Sequence, residues 1–367
     1  MTKEDYINAY TLANKNVARY SNEQMARKVL LNSLYGAQCN RFFRFYNLEI
    51  GKSITLTGQV FIKYSEHKLN EFINKEVGTE NCDYCRLIDT DSNYMDFSKI
   101  KEKYHFDLDG LNNFVHEKVE PYLEHCFLEM QQYMNHYQPV IAMKRECIAD
   151  KAVFLSKKKR YALRVLDNEG LRYEHPHLKI TGLEVIKSST PAGVKDGLKG
   201  ILNYVLENDR PGLIQYINKQ RELFMKLPID DIAIPRSITK YDAYTEEGIE
   251  ERQKLQAATG TIRKIAIPIH NRAANIYNEL IDKYKLNKEY MKIKSGDKIK
   301  MLFLTPDNPT GSNVIAYLDR FPKEFGLEQY IDKNMIFEKM FIDCVKNITD
   351  DFYWNLVQTY TVDDLFD

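Results

Sequence analysis

Three groups of residues have types and spacings that could do chemistry. The most compact is Asp89-Thr90-Asp91-Ser92. Two carboxylates at i and i+2 on an extended strand project to one face. Held together, two like charges repel unless a cation lies between them. Hard divalent cations take carboxylate oxygens, and Mg²⁺ needs only one or two besides substrate phosphates. Such a pair is what two-metal phosphoryl transfer requires. An Asp-rich surface turn would read the same way locally. Leu87 and Ile88 before the pair, with Tyr94 and Met95 after it, weigh against that, because they make the turn interrupt a buried hairpin.

The second group is Lys28, Asn32 and Tyr35, at i, i+4 and i+7 of an expected helix, hence on one face. Their axial separation is roughly 10 Å, the scale of one nucleotide laid along the helix. Lys supplies a point charge for phosphate, Asn a hydrogen-bonding amide, and Tyr a flat ring with a hydroxyl tip. Gly36 would let another group approach the backbone closely. The competing reading is a solvated helix face. The third group is Lys157-Lys158-Lys159-Arg160-Tyr161, clustered cations followed by an aromatic residue, which suits a nucleic-acid backbone or a plain solvated charge run.

The elements that must position these groups follow from pattern. The sequence predicts a helix over 22–45, with Ser21 and Asn22 as caps. A second helix is predicted within 46–76, with Phe61, Leu69, Phe72 and Ile73 on one stripe and Gly78 as its stop. Residues 82–97 read as strand, tight turn and strand. Residues 114–137 read as helix. Strands are predicted over 153–166 and 171–183, joined by Asp167-Asn168-Glu169-Gly170. Ser188-Ser189-Thr190-Pro191 announces a helix running to about 227. Residues 228–325 are mixed, with turn signals at Gly260, Ser295-Gly296-Asp297 and Pro306–Gly311, and 326–358 read as helical. The fold class is α+β, with a small antiparallel sheet around residue 90 and a mainly helical second half.

Bulk properties set the bounds. The 367 residues suffice for two or three domains, and 44% hydrophobic with 28% charged residues is ordinary for a globular protein. No apolar run is long enough to span a membrane, and the start of the chain lacks a secretory pattern, so a cytosolic protein is the simplest expectation. The six cysteines are scattered. Cys82 and Cys85 form a C-x-x-C, half of a zinc site, but no second pair follows at suitable spacing. The formal net charge is zero, yet the charge is uneven. Residues 141–195 hold twelve basic and six acidic side chains, whereas the chain from Phe341 onward holds six Asp and one Lys. A basic middle suits contact with a polyanion, and an acidic end suits a solvated or docking tail.

Taken together, the three groups resemble family B DNA polymerases of the T-even phage type. Lys28-Val-Leu-Leu-Asn32-Ser33-Leu34-Tyr35-Gly36 resembles that family's fingers-helix motif, Asp89-Thr90-Asp91-Ser92 its palm motif, and Lys158-Lys159-Arg160-Tyr161 the strand that follows. His177–Gly182 with Ser188–Pro191 resembles the palm-to-thumb junction, and stretches at Pro268 and Asn313 resemble parts of the thumb. The resemblance runs from about residue 20 to the end. It implies an incomplete polymerase hand: residues 1–48 as the second half of the fingers, 49–187 as palm, 188–360 as thumb and 361–367 as a clamp-binding tail.

Roles follow residue by residue from the same resemblance. Asp91 and Asp89 would be the catalytic, metal-binding pair for two Mg²⁺ ions. Lys28, Asn32 and Tyr35 would bind the incoming dNTP. Lys158, Lys159, Arg160 and Tyr161 would bind primer-template DNA, and Leu365 and Phe366 would dock on a sliding clamp, a short apolar anchor suiting that task. Two departures stand out. Ile88 occupies a position where the family usually has Gly, and the other palm motif, D-x-x-S-L-Y-P-S with the remaining metal-binding Asp, is absent, as is the exonuclease. The expectation is therefore the C-terminal part of a split or truncated enzyme, working in the cytoplasm of a bacterial host and completed in trans by an N-terminal partner. The alternative is a non-catalytic DNA- and clamp-binding remnant, against which the intact Asp pair and Lys/Asn/Tyr face count. A two-metal nuclease would need a further carboxylate or His cluster near residue 90.

Overall fold

The computed structural model describes residues 2–260 and 265–354. They divide into two compact units at the Glu146–Cys147 junction. The amino-terminal unit begins with α1 (Lys3–Gln38), started by a capping box in which Thr2 and Asp5 satisfy each other's backbone amides. The helix expected over 22–45 thus starts earlier and stops sooner. Residues 3–20 contain neither Pro nor Gly, so nothing halts the helix before Ser21, and the chain leaves it through a turn in which the Asn40 side chain accepts from the Phe42 amide. No residue of α1 is buried.

Helix α2 (Leu48–Val77) is capped by Asn47 and ended by Gly78 at φ +76. Its carboxy-terminal half carries the core: Phe61 and Leu69 pack with Val115, Val119, Leu123 and Phe127, while Ile73 packs with Tyr84 and Ile100. Strands β1 (Cys85–Asp89) and β2 (Ser92–Met95) form an antiparallel hairpin that packs on α2. Then come α3 (Ser98–Tyr104), α4 (Leu108–Phe114), a π turn over Val115–Val119 and α5 (Glu120–Tyr133). The expected helix over 114–137 is therefore real but begins with a wide turn.

The second unit opens on a three-stranded antiparallel sheet, β3 (Cys147–Phe154), β4 (Tyr161–Asn168) and β5 (Leu171–Thr181). The predicted strand over 153–166 is in fact two strands, broken at the lysine run. The chain reverses there in a turn in which Lys159 takes φ +59. Glu169 and Gly170 both take positive φ in the next turn, as a two-residue hairpin of this twist requires. Helices α6 (Ala192–Glu207), α7 (Arg210–Met225) and α8 (Ile229–Ile232) lead to β6 (Ile234–Ser237). After α9 (Glu246–Ala258) and α10 (Ile269–Lys283), β7 (Lys298–Phe303) and β8 (Val314–Tyr317) complete a second antiparallel sheet in the order β6-β7-β8. This sheet lies in the stretch that reads as mixed. Helices α11 (Lys333–Phe337) and α12 (Asp343–Thr349), separated by a π turn, end on a 3₁₀ turn over Asp350–Phe352. One large apolar cluster, including Leu198, Leu202, Tyr277, Met301, Tyr317 and Phe337, holds this unit together.

Candidate active site

Thr90 and Asp91 form the two-residue loop between paired Asp89 and Ser92. The Asp91 amide donates to the Asp89 carbonyl at 2.7 Å, and Thr90 sits at φ +59. That pairing with a positive φ fits the strained form of the γ-turn. A β-branched residue in the left-handed region is uncommon and costs about 1–2 kcal/mol. The turn is tied further by Ser92 Oγ donating to the Asp89 carbonyl at 3.0 Å and Thr90 Oγ1 donating to the Asp89 carboxylate at 3.1 Å. Asp89 is half-buried and Asp91 exposed. Ile88, across from Asn93, is an ordinary half-buried strand position that accepts a branched side chain.

The hairpin is fixed by a column of polar residues on α2. Asn93 Nδ2 donates to Ser65 Oγ at 2.7 Å, and Ser65, fully buried, donates its own hydroxyl hydrogen bond to the Ile62 carbonyl. Asn70 accepts from the Tyr84 amide and donates to Asp83, while Asn74 bonds both the amide and the carbonyl of Cys82. Arg86, at a bulge in β1, pairs with Asp96 at 2.9 Å. Sequence reasoning misses Ser65, Asn70 and Asn74. The available signal is two asparagines four residues apart inside a helix, where Asn is a poor choice unless its side chain has work elsewhere.

The donor set of the turn, two carboxylates with hard oxygens, fits Mg²⁺. Among the described residues, no three His, Cys, Asp or Glu side chains gather as a metal site. Cys82 and Cys85 are thiols outside any disulfide, and burial pushes the Cys85 thiol up to about 11, away from the thiolate a zinc ion takes.

Lys28 and Asn32 share a shallow groove along α1 with Tyr20, Glu23, Gln24, Arg27 and Leu31. Tyr35 is 40% exposed, and the space beside Gly36 is open. All three predicted residues thus lie on one accessible face. Arg27 adds a second cation to this groove and Glu23 an anion.

The basic run is a turn clamped from several sides. The Leu155 amide donates to the Arg160 carbonyl at 3.0 Å. Arg160, its side chain only 10% exposed, is committed to Glu184 at 2.6 Å, and Tyr161 is buried. Lys159 has φ +59, and its carbonyl lies 1.9 Å from where a Cβ on Gly182 would be. Only glycine fits at 182. Lys157, Lys158 and Lys159 are exposed. The resemblance-derived quartet therefore separates into exposed lysines and an inward-facing Arg160 and Tyr161. The lysine turn belongs to one compact unit and the Asp pair and Lys28 face to the other. Leu365 and Phe366 lie outside the described residues. Among the described residues no helix is long and apolar enough to cross a membrane.

Residues 9–340 match the family model for DNA polymerase family B. The chain is 32% identical over 361 residues to the DNA-directed DNA polymerase of Enterobacteria phage T4, covering 92% of this chain and 37% of that protein. It is 33% identical over 368 residues to the DNA-directed DNA polymerase of Escherichia phage RB69, covering 94% of this chain and 38% of the relative. The chain thus spans well under half the length of the relatives it matches. With a strained carboxylate turn, a cationic helix face and a clamped lysine turn in the order the motifs require, the chain belongs to DNA polymerase family B.

Proposed function

We propose that this chain supplies the C-terminal part of a templated DNA polymerase: one carboxylate pair of its active site, the dNTP-binding fingers helix and a DNA-gripping thumb. The observation that carries the reading is the Asp89-Thr90-Asp91 turn, held in a strained backbone on a polar column of α2. Other non-glycine residues of the chain take positive φ in ordinary turns, but Thr90 is the β-branched one among those described, and a branched side chain bears that conformation at the greatest cost. The residue ranges 1–48, 49–187, 188–360 and 361–367 act as fingers, palm, thumb and clamp-binding tail.

Asp91 and Asp89 would hold Mg²⁺, which would supply charge stabilisation for phosphoryl transfer from the nucleotide to the primer hydroxyl. Lys28 neutralises the triphosphate and favours departure of pyrophosphate. Asn32 and Tyr35 line the nascent base pair, and Lys158 and Lys159 hold the duplex by its phosphates. Arg160 and Tyr161 serve that contact from within by holding the turn and strand. Leu365 and Phe366 dock on a sliding clamp. The relatives' additional length and the exposed apolar residues of α1, among them Tyr6, Tyr10, Val17 and Leu31, support completion by an N-terminal polypeptide carrying the other catalytic Asp.

Primer extension tests the reading. The chain alone should extend a primer negligibly, and mixing with its N-terminal partner should restore synthesis. Asp91→Ala in the pair should abolish extension, a loss of at least about a thousandfold given the charge it removes, while duplex binding in an anisotropy assay stays intact. Robust synthesis by the isolated chain would overturn the two-subunit reading, and retained extension by Asp91→Ala would overturn the metal role.

A further inference from the structure

The 3₁₀ turn near the end of the described chain reaches back to the lysine turn through one side chain. Asp351 accepts from the Ser156 amide at 2.9 Å through Oδ2 and from the Ser156 hydroxyl at 2.6 Å through Oδ1. Both carboxylate oxygens are thus spent on one residue, 195 positions away in sequence and immediately before Lys157. Phe352 and Trp354, packed partly into the core of this unit, fix the backbone from which Asp351 projects. The Ser156 bonds, and then Arg160 and Lys157 nearby, hold the Asp351 carboxyl below the usual carboxylate range, so it is an anion at neutral pH.

An anion is an odd neighbour for a turn that takes phosphates. Its field opposes the approach of a polyanion. If Asp351 acted through charge alone, removing it would tighten DNA binding. Its geometry says something different. The turn must keep exposed lysines side by side and Lys159 in a left-handed conformation, against both repulsion and backbone preference. Glu184 and Gly182 secure its far end, at Arg160 and Lys159. Asp351 secures the near end, at Ser156.

We propose that Asp351 is a positioning residue for duplex binding, holding Ser156 so that Lys157 and Lys158 are presented in a fixed array. This rests on the reading that the lysine turn contacts DNA. The two ideas fail in different ways when affinity of the full-length chain for a primer-template duplex is followed by anisotropy across a salt series. Lys158→Ala should weaken binding and reduce the slope of log Kd against log salt by about one. Asp351→Asn keeps the shape but removes one acceptor and the charge. It should weaken binding by about fivefold, the value of a lost hydrogen bond, with the salt slope unchanged. Ser156→Ala should do the same, the double variant should be no weaker than either single variant, and Ser156→Thr should retain wild-type affinity.

Unchanged or tighter binding by Asp351→Asn, with Lys158→Ala impaired, would overturn the positioning role and leave the DNA contact standing. An unaffected Lys158→Ala would sink the DNA contact itself. Should Asp351→Asn melt below wild type, Ser156→Ala at wild-type melting temperature decides the question on the same criteria.

Discussion

Thr90 shows how much a single residue can carry. A threonine at φ +59 stores about 1–2 kcal/mol of strain. Replacing it with glycine would relieve that strain but lose about 0.5–1 kcal/mol in backbone entropy, along with the bond to Asp89. The terms nearly cancel, so Thr90→Gly should unfold within about 1 kcal/mol of wild type in urea. Its synthesis rate in the completed enzyme should nonetheless fall, because the two carboxylates lose their fixed separation. A rate equal to wild type would show that the strain has no part in catalysis. The residue types at 89–92 are enough to suggest a cation pair. Thr90's conformation is not readable from type, since threonine favours extended backbone.

At the scale of elements, most boundaries follow local signals. Asn47 and Gly78 delimit α2, and Glu169-Gly170 turns β4 into β5. One departure is local and one long-range. Helix α1 runs through Ser21 and Asn22 because no Gly or Pro precedes them and Thr2 already caps the helix further upstream. The strand expected over 153–166 is interrupted because its lysines are held in a turn by Gly182 and Glu184, distant in sequence. Gly182 is thus a junction between β5 and the lysine turn. An alanine there would collide with the Lys159 carbonyl and take an unfavourable φ. Gly182→Ala should cost about 2–5 kcal/mol, the sum of left-handed strain and overpacking, measurable as a shift in the urea midpoint. A loss under about 1 kcal/mol would mean that the turn can move away and is less fixed than described.

For the whole molecule, the outstanding feature is a helix of 36 residues with none buried. Its apolar side chains, among them Tyr6, Tyr10, Leu12, Val17 and Leu31, are exposed and distributed around the helix. Helices owe most of their stability to packing of an apolar face, so α1 should be among the least protected elements in the isolated chain. Hydrogen exchange should show α1 amides exchanging faster than those of α2 around Phe61–Ile73. If the proposed N-terminal part binds α1, adding it at a hundredfold excess over its Kd should slow α1 exchange by roughly a hundredfold. Equal exchange with and without the partner would place the subunit contact elsewhere.

The sequence by itself determined the family and the chemistry on offer. Carboxylates at i and i+2, a Lys/Asn/Tyr face at helical spacing and a lysine run are local patterns, and local patterns survive in one dimension. Only the tertiary structure decided how those groups are held: Ser65, Asn70 and Asn74 beneath the carboxylate hairpin, Gly182 and Asp351 around the lysine turn, and Arg160 drawn inward by Glu184. These contacts join residues far apart along the chain, and each requires a burial and a backbone angle that residue type does not specify.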